Sequence, residues 1–152
     1  MRGIDLRSGR SLILSDTVGF ISDLPHELVT AFHATLEEVT EADIVIHVRD
    51  AAHPDTGAQK KDVLKVLATL GLNDNGDKTD KKFIEVLNKI DAVETDDLVI
   101  LKTKAERAGG PVVNVSALTG EGCSALLHTI DELLALSTST HAIDVQSADG
   151  AT

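Results

Sequence analysis

The chain has 152 residues, enough for one compact domain, and its 42% hydrophobic and 26% charged composition lies in the range of globular proteins, with no apolar run near the roughly 20 residues of a membrane span. A formal charge of −11 argues against broad nucleic-acid binding by this segment. The single cysteine, Cys123, leaves no internal disulfide and no thiolate metal cluster, and reads as a small core side chain in a reducing compartment. In chain order, Gly3–Leu6 and Ser11–Leu14 flank a polar turn at Arg7–Arg10, which predicts a β-hairpin. After a loop over Asp16–Leu24, Pro25 presets a helix whose apolar residues Leu28, Val29, Phe32, Leu36 and Val39 recur at helical spacing. Ile44, Val45, Ile46 and Val48 form a nearly continuous β-branched run, the pattern of a parallel strand covered on both faces.

A second helix is predicted from about Pro54, with Val63, Leu64, Val66, Leu67 and Leu70 on its apolar face and Gly71 as its C-cap. The polar stretch from Asn73 predicts a loop, then Phe83–Leu87 a strand, Leu98–Ala108 a helix stopped by Gly109 and Gly110, and Val112–Val115 a strand. Leu126, Leu127, Ile130, Leu133 and Leu134 mark a last amphipathic helix, and Ser137–Thr152 reads as an aperiodic, disordered tail. The domain is thus expected over residues 1–136 and the tail over 137–152. Sustained strand–helix alternation implies an α/β fold with a mostly parallel sheet, in which ligands bind beyond the carboxyl ends of the strands.

Three motifs fall at predicted strand ends. Asp16-Thr17-Val18-Gly19 follows the second hairpin strand, Asn88-Lys89-Ile90-Asp91 follows Phe83–Leu87, and Ser116-Ala117-Leu118 follows Val112–Val115. Singly, Asp-x-x-Gly and Ser-Ala are common turn sequences, and Asp and Asn are frequent turn formers; order and common placement give the set its weight. The residue types suit a guanine nucleotide. Asp91 offers two carboxylate oxygens to the imino hydrogen and the exocyclic amine of guanine, a pair of donors that adenine lacks. Lys89 can lay its apolar stem along the base plane, Asn88 can tie neighbouring loops together, Ala117 can offer its backbone N–H to the guanine carbonyl, and Ser116 can brace that turn. Asp16 is a hard oxygen ligand for Mg2+, direct or through water. Gly19 can bring its N–H against a terminal phosphate, so that the following loop is ordered by GTP. The six histidines, at 26, 33, 47, 53, 128 and 141, show no zinc-site spacing and read as surface or loop residues.

Residues Leu14–Val29 and Ala34–Val39, with Asp50–Asp55, Asn88–Asp91 and Ser116–Gly122, closely resemble the HflX family of GTPases, and the resemblance runs from Arg2 to about Leu136. It implies a P-loop NTPase-like G domain, and a cytoplasmic protein that binds GTP or GDP with Mg2+, associates with the large ribosomal subunit and rescues stalled ribosomes. Family members carry a G-x-x-x-x-G-K-S/T phosphate loop after the first strand of this domain, and no such motif occurs in these 152 residues. The resemblance therefore implies a truncated G domain lacking that strand and loop, weak in nucleotide binding and without turnover, so no catalytic residue is assigned. Phe20 stands where many small GTPases place a water-orienting glutamine. The missing strand would lie between the strands ending at Leu14 and beginning at Ile44. Either those two pair directly, or their edges and apolar faces stay open and invite aggregation or dimerisation. A nonenzymatic interaction module is the competing reading of the same residues.

Overall fold

The computed structural model describes residues 1–16, 37–69, 71–72 and 82–149, with side chains as far as Ser137. Strands β1 (Arg2–Asp5) and β2 (Ser11–Leu14) pair antiparallel, with Arg2 opposite Leu14 and Asp5 opposite Ser11. The turn closes through Leu6 N–H donating to the Arg10 carbonyl and Gly9 N–H to that of Leu6. The hairpin lies where the residue pattern predicts it. Of the helix expected from Pro25, residues 37–41 are helical, and Leu28, Val29, Phe32 and Leu36 lie outside the described residues.

A second sheet contains β3 (Ile44–Asp50), β4 (Lys82–Asn88) and β5 (Val112–Asn114), all parallel in the order β3-β4-β5. Asp50 is in register with Asn88, and Leu87 with Asn114, so the three strands end at one rim. Helix α1 (Thr56–Thr69) connects β3 towards β4, α2 (Thr95–Arg107) connects β4 to β5, and α3 (Cys123–Asp149) follows β5. The fold is α/β, a parallel sheet flanked by helices. One face of β4 and β5 presents Ile84, Val86, Val113 and Val115 to Ile130 of α3, with Leu12 of the hairpin, Ile44, Ile46 and Leu126 packed around them. Fully removing a side chain such as Ile84 from water contributes about 1.5–3 kcal/mol. Arg10 Nη1 donates to Asp131 Oδ1 at 2.9 Å and Ser8 Oγ to the same oxygen at 2.7 Å, which fastens the hairpin turn to α3.

Helix α1 ends as predicted. Gly71 has φ +78°, its N–H donates to the Ala68 carbonyl, and Leu72 N–H reaches back to Leu67, the paired bonds of a Schellman motif. Helix α2 begins at Thr95 rather than Leu98, because its polar first turn, with Asp96 and Asp97 at the positive end of the helix dipole, has no apolar residue to reveal it. Helical backbone also continues through residues 137–149, where the composition predicts an aperiodic tail. Extension of an established helix costs no new nucleus, and the segment contains no proline.

The β-branched run departs from its expected two-sided burial. Val48 is 57% exposed, and Ile44, Val45 and Ile46 are only half-buried. Among the described residues β2 pairs with β1 alone and β3 with β4 alone, so the strands ending at Leu14 and beginning at Ile44 do not join directly. Ile13 is 76% exposed on the hairpin side. Of the two arrangements expected for these strands, direct pairing is therefore not the one adopted.

Charge on the opposite sheet face was not anticipated from the sequence. Arg49 of β3 donates through Nη1 to Glu85 Oε1 of β4, and Lys60 of α1 donates to Glu85 Oε2 at 2.7 Å. The Arg49 side chain is almost fully buried, and its Nε also donates to Thr56 Oγ1. Burial alone would raise the Glu85 carboxyl, but the hydrogen bonds from Lys60 and Arg49 hold it below the usual glutamate value. His47, opposite Glu85 in register, is half-buried in the strand rather than at the surface, and burial pushes its imidazole below the usual histidine value despite the attraction of Glu85. Both groups bind protons more weakly folded than unfolded, so acid favours unfolding. Urea-denaturation midpoints are expected to be flat above pH ~7, to fall as the pH drops below the ordinary histidine value of about 6.5, and to fall again below about 4.5. His47→Gln removes the first decline and leaves the second.

Candidate functional site

The parallel sheet brings two of the three motifs together. Asn88 closes β4, Ser116 follows β5 by two residues, and the intervening strand register sets their loops side by side. Ser116 is fully buried, and its Oγ donates to Asp91 Oδ1 at 2.6 Å while accepting the Thr119 N–H at 3.1 Å. Asn88 Oδ1 accepts the Ala117 N–H at 3.0 Å. The backbone adds a third link, Ile90 N–H to the Val115 carbonyl. Asn88, Asp91, Ser116 and Ala117 thus form one hydrogen-bonded unit although 25 residues separate Ser116 from Asp91 and 29 separate Ala117 from Asn88.

Lys89 adopts the left-handed conformation, φ 66° and ψ 34°, the only described non-glycine residue to do so. That conformation costs a residue with a Cβ on the order of 1–3 kcal/mol and persists where the surroundings over-determine it. Here Asn88 is fixed by the sheet, and Ile90 opens a 3-10 turn, Ile90–Ala92, whose carbonyl accepts from Val93. Asp91 and Ala117 lie exposed at the rim and Leu118 is 85% exposed, so the cluster is an open edge rather than an enclosed cavity. Two clefts of about 410 and 530 Å3 lie elsewhere, one between residues 51–56 and α2, the other around His47, Lys60 and Gly109–Pro111, and neither is lined by Asn88, Asp91 or Ser116.

Asp16 lies two residues beyond β2, exposed, on the hairpin sheet, and no described hydrogen bond or ion pair joins it to the cluster at 88–91 and 116–119. Thr17, Val18 and Gly19, and Phe20 after them, lie outside the described residues. An exposed carboxylate is a suitable donor for Mg2+, which keeps most of its waters and needs only one or two such ligands.

One participant carried no role in the sequence reading. Asp50, at the end of β3, accepts from Lys89 Nζ through Oδ2 at 2.7 Å and from Ala52 N–H through Oδ1 at 3.0 Å. Ala51 N–H in turn donates to the Asn88 carbonyl at 2.9 Å. The rule that singled out the other motifs, polar residues directly after an apolar strand, applies equally to Asp50 after the 44–48 run.

No protein-family model matches the chain. It is similar to the GTPase HflX of Magnetococcus marinus, with 42% identity over 127 residues, 84% of this chain and 27% of that protein. The GTPase HflX of Akkermansia muciniphila is 42% identical over 134 residues, 88% of this chain and 29% of the relative. That of Caldanaerobacter subterraneus subsp. tengcongensis is 50% identical over 93 residues, 61% of this chain and 20% of the relative. The chain spans roughly a quarter of the length of these relatives.

Proposed function

The chain belongs to the HflX family of GTP-binding proteins, and from that premise we propose that its 152 residues carry the guanine-reading edge of a nucleotide site. The observation supporting this reading most directly is the pair of bonds Ser116 Oγ to Asp91 and Ala117 N–H to Asn88, which tie the Asn-Lys-x-Asp loop to the Ser-Ala loop. Ser116 occupies one acceptor direction of Asp91 Oδ1 and orients the carboxylate, and the remaining lone pairs are free to accept the imino and amino hydrogens of guanine. The Ala117 N–H, engaged by Asn88 in the structure, is shared with the guanine carbonyl when the base is bound. Lys89 covers the base plane with its methylene stem, and Leu118 borders the base pocket.

Asp16 would hold Mg2+, which supplies charge neutralisation at the phosphates, and Thr17, Val18 and Gly19 form the phosphate-side switch. In the whole family member the ligands are GTP and GDP, the partner is the large ribosomal subunit, the role is rescue of stalled ribosomes and the location is cytoplasmic. No described helix is long and apolar enough to cross a membrane. We take residues 1–136 as the G-domain portion and residues beyond 136 as a tail that continues α3, and we regard the edges of β2 and β3 that have no partner among the described residues as a route to dimers.

The 152-residue chain has no glycine-rich phosphate loop. Lacking three or more charge-assisted hydrogen bonds of about 1.5–3 kcal/mol each, it is expected to bind GTP at least a thousandfold more weakly than a complete G domain, without turnover. Isothermal titration with GTP and Mg2+ tests this, and micromolar affinity would refute it. The base reading has its own test: guanosine monophosphate at millimolar concentration shifts the amide resonances of Asp91 and Ala117, and adenosine monophosphate does not.

A further inference from the structure

We propose that Asp50 is a positioning residue for base recognition, holding the tip of Lys89 so that its stem is preset across the guanine plane. The proposal rests on reading Asn88–Asp91 as a guanine reader. Asp50 and Asn88 are register partners at the ends of adjacent parallel strands, so the sheet itself sets the Asp50 carboxylate beside the following Lys89. Both carboxylate oxygens are used, Oδ2 by Lys89 Nζ and Oδ1 by the Ala52 amide, while the Ala51 amide bonds the Asn88 carbonyl. A carboxylate fixed by its own loop is a stationary anchor, unlike a pair of free surface side chains, which gain little from meeting.

Lys89 has most to gain from such an anchor. Its ammonium sits on a flexible four-carbon stem with high rotamer entropy, and its backbone is in the left-handed region. Fixing the far end at Asp50 leaves the stem little freedom before a base arrives, so less ordering is required on binding. The Asp50 carboxyl lies below the usual aspartate value, first through the Lys89 hydrogen bond, against a smaller effect of burial, and with help from the Ala52 amide. The same bonds connect the Asn88–Asp91 loop to Ala51 and Ala52 in the segment that leads toward α1.

The test is a double-variant cycle on the 152-residue chain, titrating guanosine monophosphate against the amides of Asp91 and Ala117. Asp50→Asn, which keeps the size of the side chain, is expected to weaken binding roughly two- to fivefold. In a Lys89→Ala background Asp50→Asn is expected to change nothing further, because the anchor then has nothing to hold. Asp50→Glu is expected to recover part of the loss. Without nucleotide, Asp50→Asn should also increase the mobility of the Lys89 Cε group by carbon relaxation. Equal affinity of the wild type and Asp50→Asn overturns the positioning role and leaves the guanine reading standing. An undiminished effect of Asp50→Asn in the Lys89→Ala background assigns Asp50 to loop stability instead and also overturns the proposal. A wild-type chain with no guanine-specific response overturns the guanine reading and this inference with it.

Discussion

Gly122→Ala is expected to lower the folding stability of the chain by more than about 4 kcal/mol, a size confined to a short list of mechanisms. Gly122 has φ +78°, a conformation that costs residues with a Cβ about 1–2 kcal/mol. Sterics add to this: a Cβ at 122 would lie 1.9 Å from the Asn114 carbonyl oxygen and 3.1 Å from the Val115 Cα. Those atoms are backbone, held by β5 and by Val115 N–H donating to the Leu87 carbonyl, and cannot turn aside as a side chain would. Relief requires the loop from Ser116 to Gly122 to move, although Ser116 N–H to Glu121 and Gly120 N–H to Ser116 fasten it. The substitution should therefore damage the site together with the fold. Chemical denaturation measures the first effect, and loss of the guanosine monophosphate response at Ala117 the second. A Gly122→Ala chain within about 0.5 kcal/mol of the wild type, the ordinary range of surface substitutions, would show that the close approach is not maintained in solution.

Asp91→Asn should act on recognition with little effect on stability, because the residue is exposed and its bond from Ser116 can persist to an amide oxygen. The amide replaces a two-oxygen acceptor with one acceptor and one donor, and the donor then faces a hydrogen of guanine. Losing two charge-assisted bonds of about 1.5–3 kcal/mol each lowers guanine-nucleotide affinity by about two to four orders of magnitude. The same donor suits a base with a second carbonyl where guanine has its amine, so the preference should move toward xanthine. This is best measured as competition between the two nucleotides in a reconstruction that supplies a phosphate loop upstream of Arg2. An unchanged order of preference would remove Asp91 from the base contact.

The two substitutions probe different layers of one device. Gly122 lets the backbone after β5 fold back closely enough to seat Ser116, Ser116 orients Asp91, and Asp91 offers its oxygens to the rim. Fully buried Ser116 is the hinge between packing and chemistry, since its hydroxyl both donates to the carboxylate and accepts the Thr119 amide.

The features that can be read from the chain alone are local. The β-hairpin, the β3, β4 and β5 runs, the glycine cap at 71 and the polar loops that follow β4 and β5 were legible because each depends on periodicity, turn chemistry or the residues directly after a strand. What required the tertiary structure depends on which strands lie side by side. The expectation for 44–48 failed at Val48 because an apolar run reports the preference of its side chains and not the presence of a neighbour to cover them. Charged residues within strands, Arg49 and Glu85, look like solvent-facing positions until the β3–β4 register and α1 enclose them with Lys60. Asp50 and Lys89 are 39 residues apart and meet only because parallel pairing aligns their strand ends. Pairing over such distances arises from register and packing, which no local window of the chain contains.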